Sequence, residues 1–344
     1  MNIQELETTA KTMVAPGKGI LAMDESTPTI TKRLKAVGID GSDANRLAYR
    51  ELIVTTQALG DFISGAILFD ETIRQKLSDG RSVVEALSQQ GIMPGIKVDA
   101  GAKPLALHSN ETITEGLDKL RDRLVEYRDL GARFCKWRAV IAIGDGIPSR
   151  ACIEANAHAL ARYAALCQEA NLVPIVEPEV LIDGDHTIEH CFDVTIDTQR
   201  TVFDELYRQG VAFQGMILKP SMVVSGKICP RQAGVEEVAE QTLRCLRATV
   251  PAAVPGVAFL SGGQSDEAAT MHLNTMNVMA KDLNLPWRLS FSYARAIQQA
   301  ALDAWKGKPA NTARARAVLL HRARCNSAAT LGRYNKSIEQ ELAA

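Results

Sequence analysis

The sequence predicts an α/β protein folded as a single (β/α)8 barrel. Three observations support this fold: short apolar runs recur along the chain, segments with helical spacing separate them, and the runs number eight. Alternating strands and helices without a long structureless gap are typical of βαβ units and of a parallel sheet. A barrel of this kind needs about 250 residues, so a chain of 344 residues is long enough to form one.

The candidate strands are rich in Ile, Val, Leu and Phe, as strands buried on both faces are. In chain order they are Gly19–Asp24, Gly65–Asp70, Gly95–Asp99, Ala132–Ile141, Leu172–Val180, Gly215–Met222, Val257–Ser261 and Arg288–Tyr293. An open, doubly wound sheet is the alternative. It is disfavoured because no G-x-G-x-x-G motif follows the first run, where Gly17-Lys18-Gly19 instead precedes the strand and lacks a third glycine.

The segments between the strands have the spacing of amphipathic helices. The clearest are Asp43–Leu59, Thr112–Leu130, Ile153–Ala170 and Asp266–Leu283. The first eighteen residues and the stretch after Gly307 are predicted to form flanking helices. No composition break, proline-rich linker or repeat divides the chain, so we predict one domain over 1–344, with a barrel core at about 19–306 and a helical extension at about 311–344.

Composition excludes several classes of protein. Apolar residues make up 46% of the chain and charged residues 23%, and a net charge of -1 gives no general attraction to nucleic acid or to a membrane surface. No apolar run is long enough to span a bilayer, and the acidic N-terminus is unlike a signal peptide. The seven cysteines are scattered without a C-x-x-C pair, which predicts reduced, mostly buried thiols. We therefore expect a cytoplasmic protein.

Ionisable residues cluster where the predicted strands end, which is where barrel enzymes place their active sites. Side chains two residues apart on a strand point to the same face, and buried charges require partners. Isolated charges at strand ends usually face solvent, but so many on neighbouring strands favour one shared polar cluster. Its predicted members are Asp24, Lys136, Arg138, Glu177, Glu179 and Lys219.

Lys219 is the best nucleophile in this set. The apolar residues Met216, Ile217 and Leu218 precede it and Pro220 follows it, so little water should surround the amine. Desolvation and a nearby cation such as Lys136 both favour the neutral amine, which can attack a carbonyl and form an imine. A carboxylate must then remove water from the carbinolamine, and Glu177 or Glu179 could do so.

A phosphate site is predicted at Ser261-Gly262-Gly263, which ends the seventh run and leads into a helical segment. Two glycines allow successive backbone N–H groups to converge on an anion at a helix N-terminus. Arg295, just beyond the eighth strand, could close over the anion. Barrel enzymes frequently bind phosphate with the loops after strands seven and eight.

Two further patterns are interpreted as structural. His186–His190 spells H-x-x-E-H, an inverted zinc-protease motif, but Asp183-Gly184-Asp185 places the first histidine at a loop exit, so we predict a solvated helix start and no metal, with a zinc site as the alternative. The terminal segment contains the arginines Arg314, Arg316, Arg322 and Arg324. Because Ala and Leu interleave them, we expect these arginines to form the solvent-exposed face of a helix rather than a nucleic-acid patch.

From about Gly17 to about Tyr334 the chain resembles the class I fructose-bisphosphate aldolases. The resemblance rests on long motifs: GKGILAMDES, KRL at 32–34, GIKVD, KWR, IVEPE, LKPSM, FLSGGQS and FSYAR. It implies a (β/α)8 barrel, usually a homotetramer. It also implies reversible, metal-independent cleavage of fructose 1,6-bisphosphate to dihydroxyacetone phosphate and glyceraldehyde 3-phosphate, in glycolysis and gluconeogenesis, without a cofactor.

The resemblance also implies a role for each matching residue. Lys219 would form the Schiff base at the C2 ketone, Glu177 would be the general acid and base with Glu179 beside it, Asp24 would engage the C4 hydroxyl, and Lys136 would lie near the imine. The remaining matches concern substrate binding: Ser261, Gly262, Gly263 and Arg295 at the C1 phosphate, Arg33 and Thr29 at the other phosphate, Arg138 as a phosphate ligand, and Arg46 as a further contact.

The chain departs from the family pattern at several positions. Ala100 and Ala142 stand where many relatives have lysine, and Ala294 stands where they have glycine. Lys103 is a hypothetical substitute for the lysine missing at Ala100. The chain ends at Ala344 without the terminal tyrosine that assists proton exchange at C3 in animal enzymes, so we expect slower enamine protonation or another group in that role.

Two other functions stay open from the sequence. Another imine-forming barrel, such as a transaldolase-like or deoxyribose-phosphate-type aldolase, would handle a sugar with one phosphate, whereas two candidate phosphate sites favour a bisphosphate. A non-catalytic sugar-phosphate-binding barrel is the alternative from a different class. It has support only at Ala100, because mere binding does not require Lys219, Glu177 and Asp24 together.

Overall fold

The computed structural model describes residues 1–341. Its centre is a closed barrel of eight parallel strands, in the order β1-β10-β9-β8-β7-β6-β3-β2, with a separate two-stranded sheet of β4 and β5. The strands are β1 Gly19–Met23, β2 Ile63–Leu68, β3 Met93–Lys97, β4 Ala102–Pro104, β5 Thr112–Thr114, β6 Phe134–Ile141, β7 Val173–Val180, β8 Ile217–Leu218, β9 Gly256–Phe259 and β10 Arg288–Tyr293. The predicted (β/α)8 barrel is confirmed.

Helices cover the outside of the barrel. They are α1 Ile3–Met13, α2 Thr27–Ala36, α3 Asp43–Val54, α4 Asp70–Ile73, α5 Val83–Ser88, α6 Leu120–Asp129, α7 Arg150–Glu169, α8 Ile188–Arg208, α9 Val235–Thr249, α10 Asp266–Met279, α11 Arg295–Trp305, α12 Thr312–Thr330 and α13 Lys336–Gln340. Short 3-10 turns lie at Leu59–Asp61, Phe213–Gly215, Ala280–Asp282 and Pro309–Asn311. Among residues 1–341, no helix combines the length and the apolar character that crossing a membrane requires.

Two apolar cores hold the molecule together. The larger lies between the sheet and the surrounding helices. The smaller fills the barrel interior with residues such as Ile67, Phe134 and Ile217, and α1 adds Leu6 and Met13 to it. A barrel interior is filled by layers of side chains rather than left as a pore. Helix α1 therefore packs against the barrel's interior core, and the polar cluster described below lies at the opposite, carboxyl ends of the strands.

The structure corrects three predictions from the sequence. The segment Thr112–Leu130 is not one helix, because Thr112–Thr114 pairs with β4 and helix α6 begins only at Leu120. The sixth strand is two residues long, since it ends just before Lys219-Pro220, and proline has no N–H for a sheet ladder. The arginines of α12 do not all face water: Arg322 is buried and pairs with Glu339. All seven cysteines are free and buried, as predicted.

Candidate active site

Four charged side chains meet at the carboxyl ends of the barrel strands. Asp24 directly follows β1, Lys136 lies in β6, Glu177 lies in β7, and Lys219 directly follows β8. The Nζ atom of Lys136 lies 2.7 Å from Asp24 Oδ2 and 3.2 Å from Glu177 Oε2, and Lys219 Nζ lies 3.1 Å from Glu177 Oε1. Two ammonium groups and two carboxylates therefore alternate in one buried chain of contacts.

Burial and ion pairing shift the pKa values of these groups in opposite directions. Burial alone would raise the pKa of Asp24 and of Glu177, but the ammonium groups of Lys136 and Lys219 outweigh it and hold both carboxyl pKa values below their usual range. Burial would likewise lower the pKa of Lys136, but Asp24 and Glu177 outweigh it and raise that pKa above its usual value. Both carboxylates and Lys136 are therefore charged at neutral pH.

The backbone around Lys219 is fixed by both neighbouring strands. Its N–H donates to Val176 O at 2.8 Å, and the carbonyl of Pro220 accepts from Leu260 N at 3.1 Å. The side chain is buried, as the flanking apolar residues predict. Lys136 does not contact it, because the carboxylate of Glu177 bridges the two lysine side chains.

Glu179 belongs to a second ion pair, with Arg138. The side chain of Arg138 is 41% exposed, so it lies at the edge of the buried cluster. Lys97 and Asp99 form a third pair at 2.6 Å beside the cluster, and Lys97 contributes to the low pKa of Asp24. This third pair was not predicted from the sequence. The same i, i+2 spacing after an apolar run could have identified it.

The segment Ser261–Gly263 has the backbone of an anion site. Gly262 and Gly263 have φ values of 57° and 86°, a left-handed conformation that glycine adopts without strain. Within residues 1–341 the N–H groups of Gly262 and Gly263 have no hydrogen-bond acceptor. Helix α10 begins three residues later, and the exposed Arg295 is the first residue of α11. Consecutive free N–H groups before a helix form a cradle for phosphate.

Arg33 lies in a different group of charged side chains, beside the loop that follows β1. Its guanidinium pairs with Glu25 and approaches Gln299 Oε1 at 3.4 Å. The fully buried Arg50 donates to the carbonyl of Glu25 at 3.1 Å, so it supports the same loop; neither Glu25 nor Arg50 was predicted. Thr29 is exposed, and its hydroxyl lies 3.1 Å from Ser26 Oγ.

Two further predicted residues lie outside the four-residue chain of contacts. The guanidinium of Arg46 pairs with Glu71 and Asp43 and donates to Gly41 O at 2.6 Å, so its donors are used within the protein. Lys103 lies in β4, exposed on the small two-stranded sheet. Neither side chain makes an ion pair with the cluster among residues 1–341.

The histidine pattern does not form a metal site of the protease type. Helix α8 begins at Ile188, so His190 is on the helix and His186 precedes it. The helix that would present both histidines on one face is therefore absent between 186 and 190. His186 is buried, which corrects the expectation that this helix start is solvated throughout, whereas His190 is exposed.

Another set of potential metal ligands lies near the end of the described chain, at His321, Cys325 and Glu339. Its donor atoms already have protein partners. The carboxylate of Glu339 contacts Arg322 and accepts from Tyr334 Oη at 2.6 Å, and His321 Nε2 lies 3.0 Å from a backbone carbonyl. A guanidinium on the only carboxylate of the set disfavours a cation there.

Comparison with known proteins identifies the family. The family model of class-I fructose-bisphosphate aldolase matches residues 5–344. A probable fructose-bisphosphate aldolase class 1 of Xanthomonas campestris is 61% identical over 97% of this chain and 99% of that protein. One from Xylella fastidiosa is 57% identical over the same shares of both chains.

The fold agrees with a solved structure of the same family. A Plasmodium falciparum fructose-bisphosphate aldolase, crystallised with TRAP and a small-molecule inhibitor, superposes with a TM-score of 0.95 at 48% identity, over 97% of this chain and 96% of that one. The chain therefore belongs to the class I fructose-bisphosphate aldolase family, lyases of glycolysis that act on sugar phosphates through a Schiff base.

Proposed function

We propose that Lys219 is the lysine that forms the Schiff base with fructose 1,6-bisphosphate, and that Glu177, Asp24 and Lys136 carry the proton transfers around it. The observation that carries the proposal is the contact of Glu177 with both lysines, at 3.1 Å and 3.2 Å, inside a buried site. A nucleophile beside a base that is itself oriented by a third group is the arrangement that covalent catalysis requires.

Imine formation uses Lys219 and Glu177. Glu177 accepts the proton that the ammonium of Lys219 must lose before its nitrogen bonds to the C2 carbonyl carbon of the substrate. The carbonyl oxygen takes up one of the two protons that remain on this nitrogen and becomes the carbinolamine hydroxyl. Glu177 then returns a proton to that hydroxyl, which leaves as water, and a protonated imine remains on Lys219. Lys136 holds Glu177 in place and keeps it ionised at the start of the cycle.

Bond cleavage uses Asp24, whose carboxylate is held ionised beside Lys136. Asp24 takes the proton of the C4 hydroxyl, the C3–C4 bond breaks, and its electron pair moves into the imine to give an enamine. Glyceraldehyde 3-phosphate leaves as the aldehyde. Protonation of the enamine at C3 and hydrolysis of the imine then release dihydroxyacetone phosphate. The cationic imine supplies the electron sink, so the scheme requires neither a metal nor a cofactor.

Two anion sites would hold the phosphates of the substrate. The C1 phosphate binds at the free N–H groups of Ser261–Gly263 with Arg295. Arg33 and Thr29 hold the other phosphate, once substrate replaces Glu25 as the partner of Arg33. Arg138 forms an ion pair with Glu179. Its role as a phosphate ligand and that of Glu179 as a supporting carboxylate stay predictions from the resemblance. Substrate contacts by Arg46 and Lys103 stay predictions, and the steps above do not use them.

We further propose that residues 1–344 form a single domain that assembles as a homotetramer in the cytoplasm. The closed barrel, in which β10 pairs with β1, supports the single domain. The tetramer and the compartment rest on the family alone. Light scattering at micromolar protein concentration tests the assembly. A mass of one or two chains would contradict it.

Borohydride trapping with dihydroxyacetone phosphate in the presence of EDTA tests the mechanism. We expect a reduced adduct on Lys219, identified by peptide mass analysis, and cleavage of the bisphosphate that survives EDTA. Lys219→Met should abolish both, whereas Lys308→Met, at an exposed lysine between α11 and α12, should abolish neither. No adduct together with activity lost in EDTA would overturn the mechanism. No adduct and no activity would favour a barrel that only binds sugar phosphates.

A further inference from the structure

Lys227 is a cation beside the phosphate cradle at Ser261–Gly263, and no role was predicted for it from the sequence. It follows the catalytic strand β8 by nine residues, in the loop that crosses towards α9. A methyl group built on Gly263 would lie 3.3 Å from Lys227 Nζ and 3.5 Å from Arg295 Nη2. The ammonium and the guanidinium therefore flank the same glycine, whose N–H group is free.

The backbone of Lys227 is held in place by the loop that follows β7. Lys227 N donates to Ile182 O at 2.9 Å, Gly226 N donates to His186 O at 2.8 Å, and Ile228 N donates to Gly184 O at 3.0 Å. The two loops approach so closely at Gly226 that a Cβ there would lie 2.3 Å from Gly184 O. These contacts fix where the side chain of Lys227 starts, although the side chain itself is 45% exposed.

The charges around Lys227 leave it able to bind an anion. Its only carboxylate partner among residues 1–341 is Asp183, with Oδ1 at 2.8 Å. An ammonium group has three donors, so one bond to Asp183 leaves two for another acceptor. Arg295 makes no ion pair within the described residues. An anion at Gly262 and Gly263 would therefore meet two cations, one from the loop after β8 and one from the start of α11.

We propose that Lys227 is a ligand of the C1 phosphate, acting together with Arg295 and the N–H groups of Ser261–Gly263. The inference rests on the proposed function, because it takes this cradle as the C1-phosphate site. Lys227 and Arg295 both contact the phosphate beside Gly263, and Asp183 holds the ammonium of Lys227 close to the cradle. Lys227 supplies binding energy and makes no contact with the reacting carbon atoms.

The test is a comparison of Lys227→Gln with wild type on fructose 1,6-bisphosphate and on fructose 1-phosphate. Loss of one charge-assisted hydrogen bond at a half-exposed site should raise KM by about tenfold. Because both substrates carry the C1 phosphate, KM should rise by a similar factor for each, with kcat little changed. Lys227→Arg should restore most of the affinity, since it keeps the charge.

Two controls distinguish phosphate binding by Lys227 from a general charge effect and from a structural role. Lys281→Gln makes the same change in net charge at an exposed lysine after α10, at the opposite end of that helix from Gly263, and should leave both KM values unchanged. The rise of KM with salt should be shallower in Lys227→Gln than in wild type, because fewer screened charges then hold the substrate. A structural role for Lys227 would not change the salt dependence.

Asp183→Asn should change KM in the opposite direction to Lys227→Gln. It releases Lys227 from its carboxylate and should lower KM for both substrates by about two- to threefold. In the double variant with Lys227→Gln, this gain should disappear if Asp183 acts through the lysine. A gain of equal size in both backgrounds would contradict that coupling.

The outcomes separate this inference from the proposed mechanism. If wild type is trapped on Lys219 but Lys227→Gln has the KM of wild type, Lys227 is not a phosphate ligand and the mechanism stands. If Lys227→Gln raises KM for the bisphosphate alone, the residue serves the other phosphate and the inference is wrong. If wild type gives no adduct on Lys219, the proposed function fails by itself, whatever the result at Lys227.

Discussion

Glu177 connects the two lysines of this site, because each of its carboxylate oxygens contacts a different lysine. Glu177→Gln removes the proton carrier and leaves an amide of similar size. We expect kcat to fall by about 100-fold or more, since positioned acid–base groups contribute about that factor. KM should change little. Steady-state kinetics on the bisphosphate and the rate of borohydride trapping with dihydroxyacetone phosphate measure the two effects.

The matched control is Glu179→Gln, two residues along the same strand. Its carboxylate pairs with Arg138 rather than with Lys136 or Lys219, so kcat should fall clearly less than in Glu177→Gln. An equal loss in the two variants would mean that the general charge of the site, rather than proton transfer by Glu177, supports the reaction.

The contribution of Asp24 to the stability of the fold should depend on pH. Its pKa is held below the ordinary 3.8 by Lys136 and Lys219, although burial opposes the shift. A carboxyl whose pKa is lowered by folding stabilises the native state above its unfolded pKa, and this contribution is lost as pH falls through the native value. The free energy of unfolding in urea should therefore be larger for wild type than for Asp24→Asn at pH 6. This difference in free energy should shrink steadily below about pH 4.

A constant difference in unfolding free energy down to pH 3 would contradict this assignment, because it would mean that the pKa of Asp24 is not lowered by folding. Asp40→Asn provides the comparison at an exposed carboxyl, whose low pKa comes from bonds to Ser42 rather than from a buried lysine. Its effect on stability at pH 6 should be much smaller than that of Asp24→Asn.

Residue types and strand alternation were enough to predict which side chains meet, but not which pairs they form. Arg138 lies beside Glu177 in the ladder of β6 and β7, yet Lys136 pairs with Glu177 and Arg138 pairs with Glu179. Strands in a barrel are tilted, so interior side chains contact partners displaced along the neighbouring strand. Such a displacement depends on the closed barrel and cannot be obtained from spacing within one strand.

At the scale of elements, glycines in the first three barrel strands make room for aromatic rings. A Cβ on Gly95 would lie 2.2 Å from the ring of Phe134, which is its register partner on β6. Gly65 faces the same ring, and Gly19 faces Phe291. Gly95, Gly65 and Phe134 thus pack together inside the barrel, whereas Phe291 belongs to the larger core between the sheet and the helices.

Gly95→Ala should therefore destabilise the barrel by overpacking, by about 1–3 kcal/mol. The free energy of unfolding in urea measures the effect. Phe134→Leu in the same chain removes the ring, so the double variant should lose less stability than the sum of the two single variants. Additive losses would show that the added methyl group and the ring do not meet.

The elements themselves differ in how far the sequence could predict them. The eight barrel strands have continuous apolar runs, because both of their faces are buried, and all eight were found. The sheet of β4 and β5 was missed because its strands are three residues long and β4 is fully exposed, so neither shows an apolar run. The two strands pair in antiparallel orientation, and no pattern in the sequence of either segment indicates that pairing.

At the scale of the molecule, the site is assembled from most of the barrel. Five different strands supply site residues, either within the strand or within two residues of its end, and Arg295 begins the helix after β10; the residues from the strands are Asp24, Lys136, Glu177, Lys219 and Ser261. Helix α12 packs on α10, α11, β1 and β10. A ligand bound at this site is therefore coupled to nearly every element of the fold.

We predict that dihydroxyacetone phosphate stabilises the chain as one cooperative unit. At about 100 times its dissociation constant a ligand stabilises the native state by about 2.7 kcal/mol, which for a chain of this size raises Tm by about 4 °C. Differential scanning calorimetry at fixed protein concentration should show a single transition that moves as a whole. Lys219→Met should show a smaller shift, because it keeps the phosphate contacts and loses the covalent bond. Two transitions, of which the ligand moves only one, would mean that residues 1–344 contain more than one independently folding domain, and the single-domain proposal would be wrong.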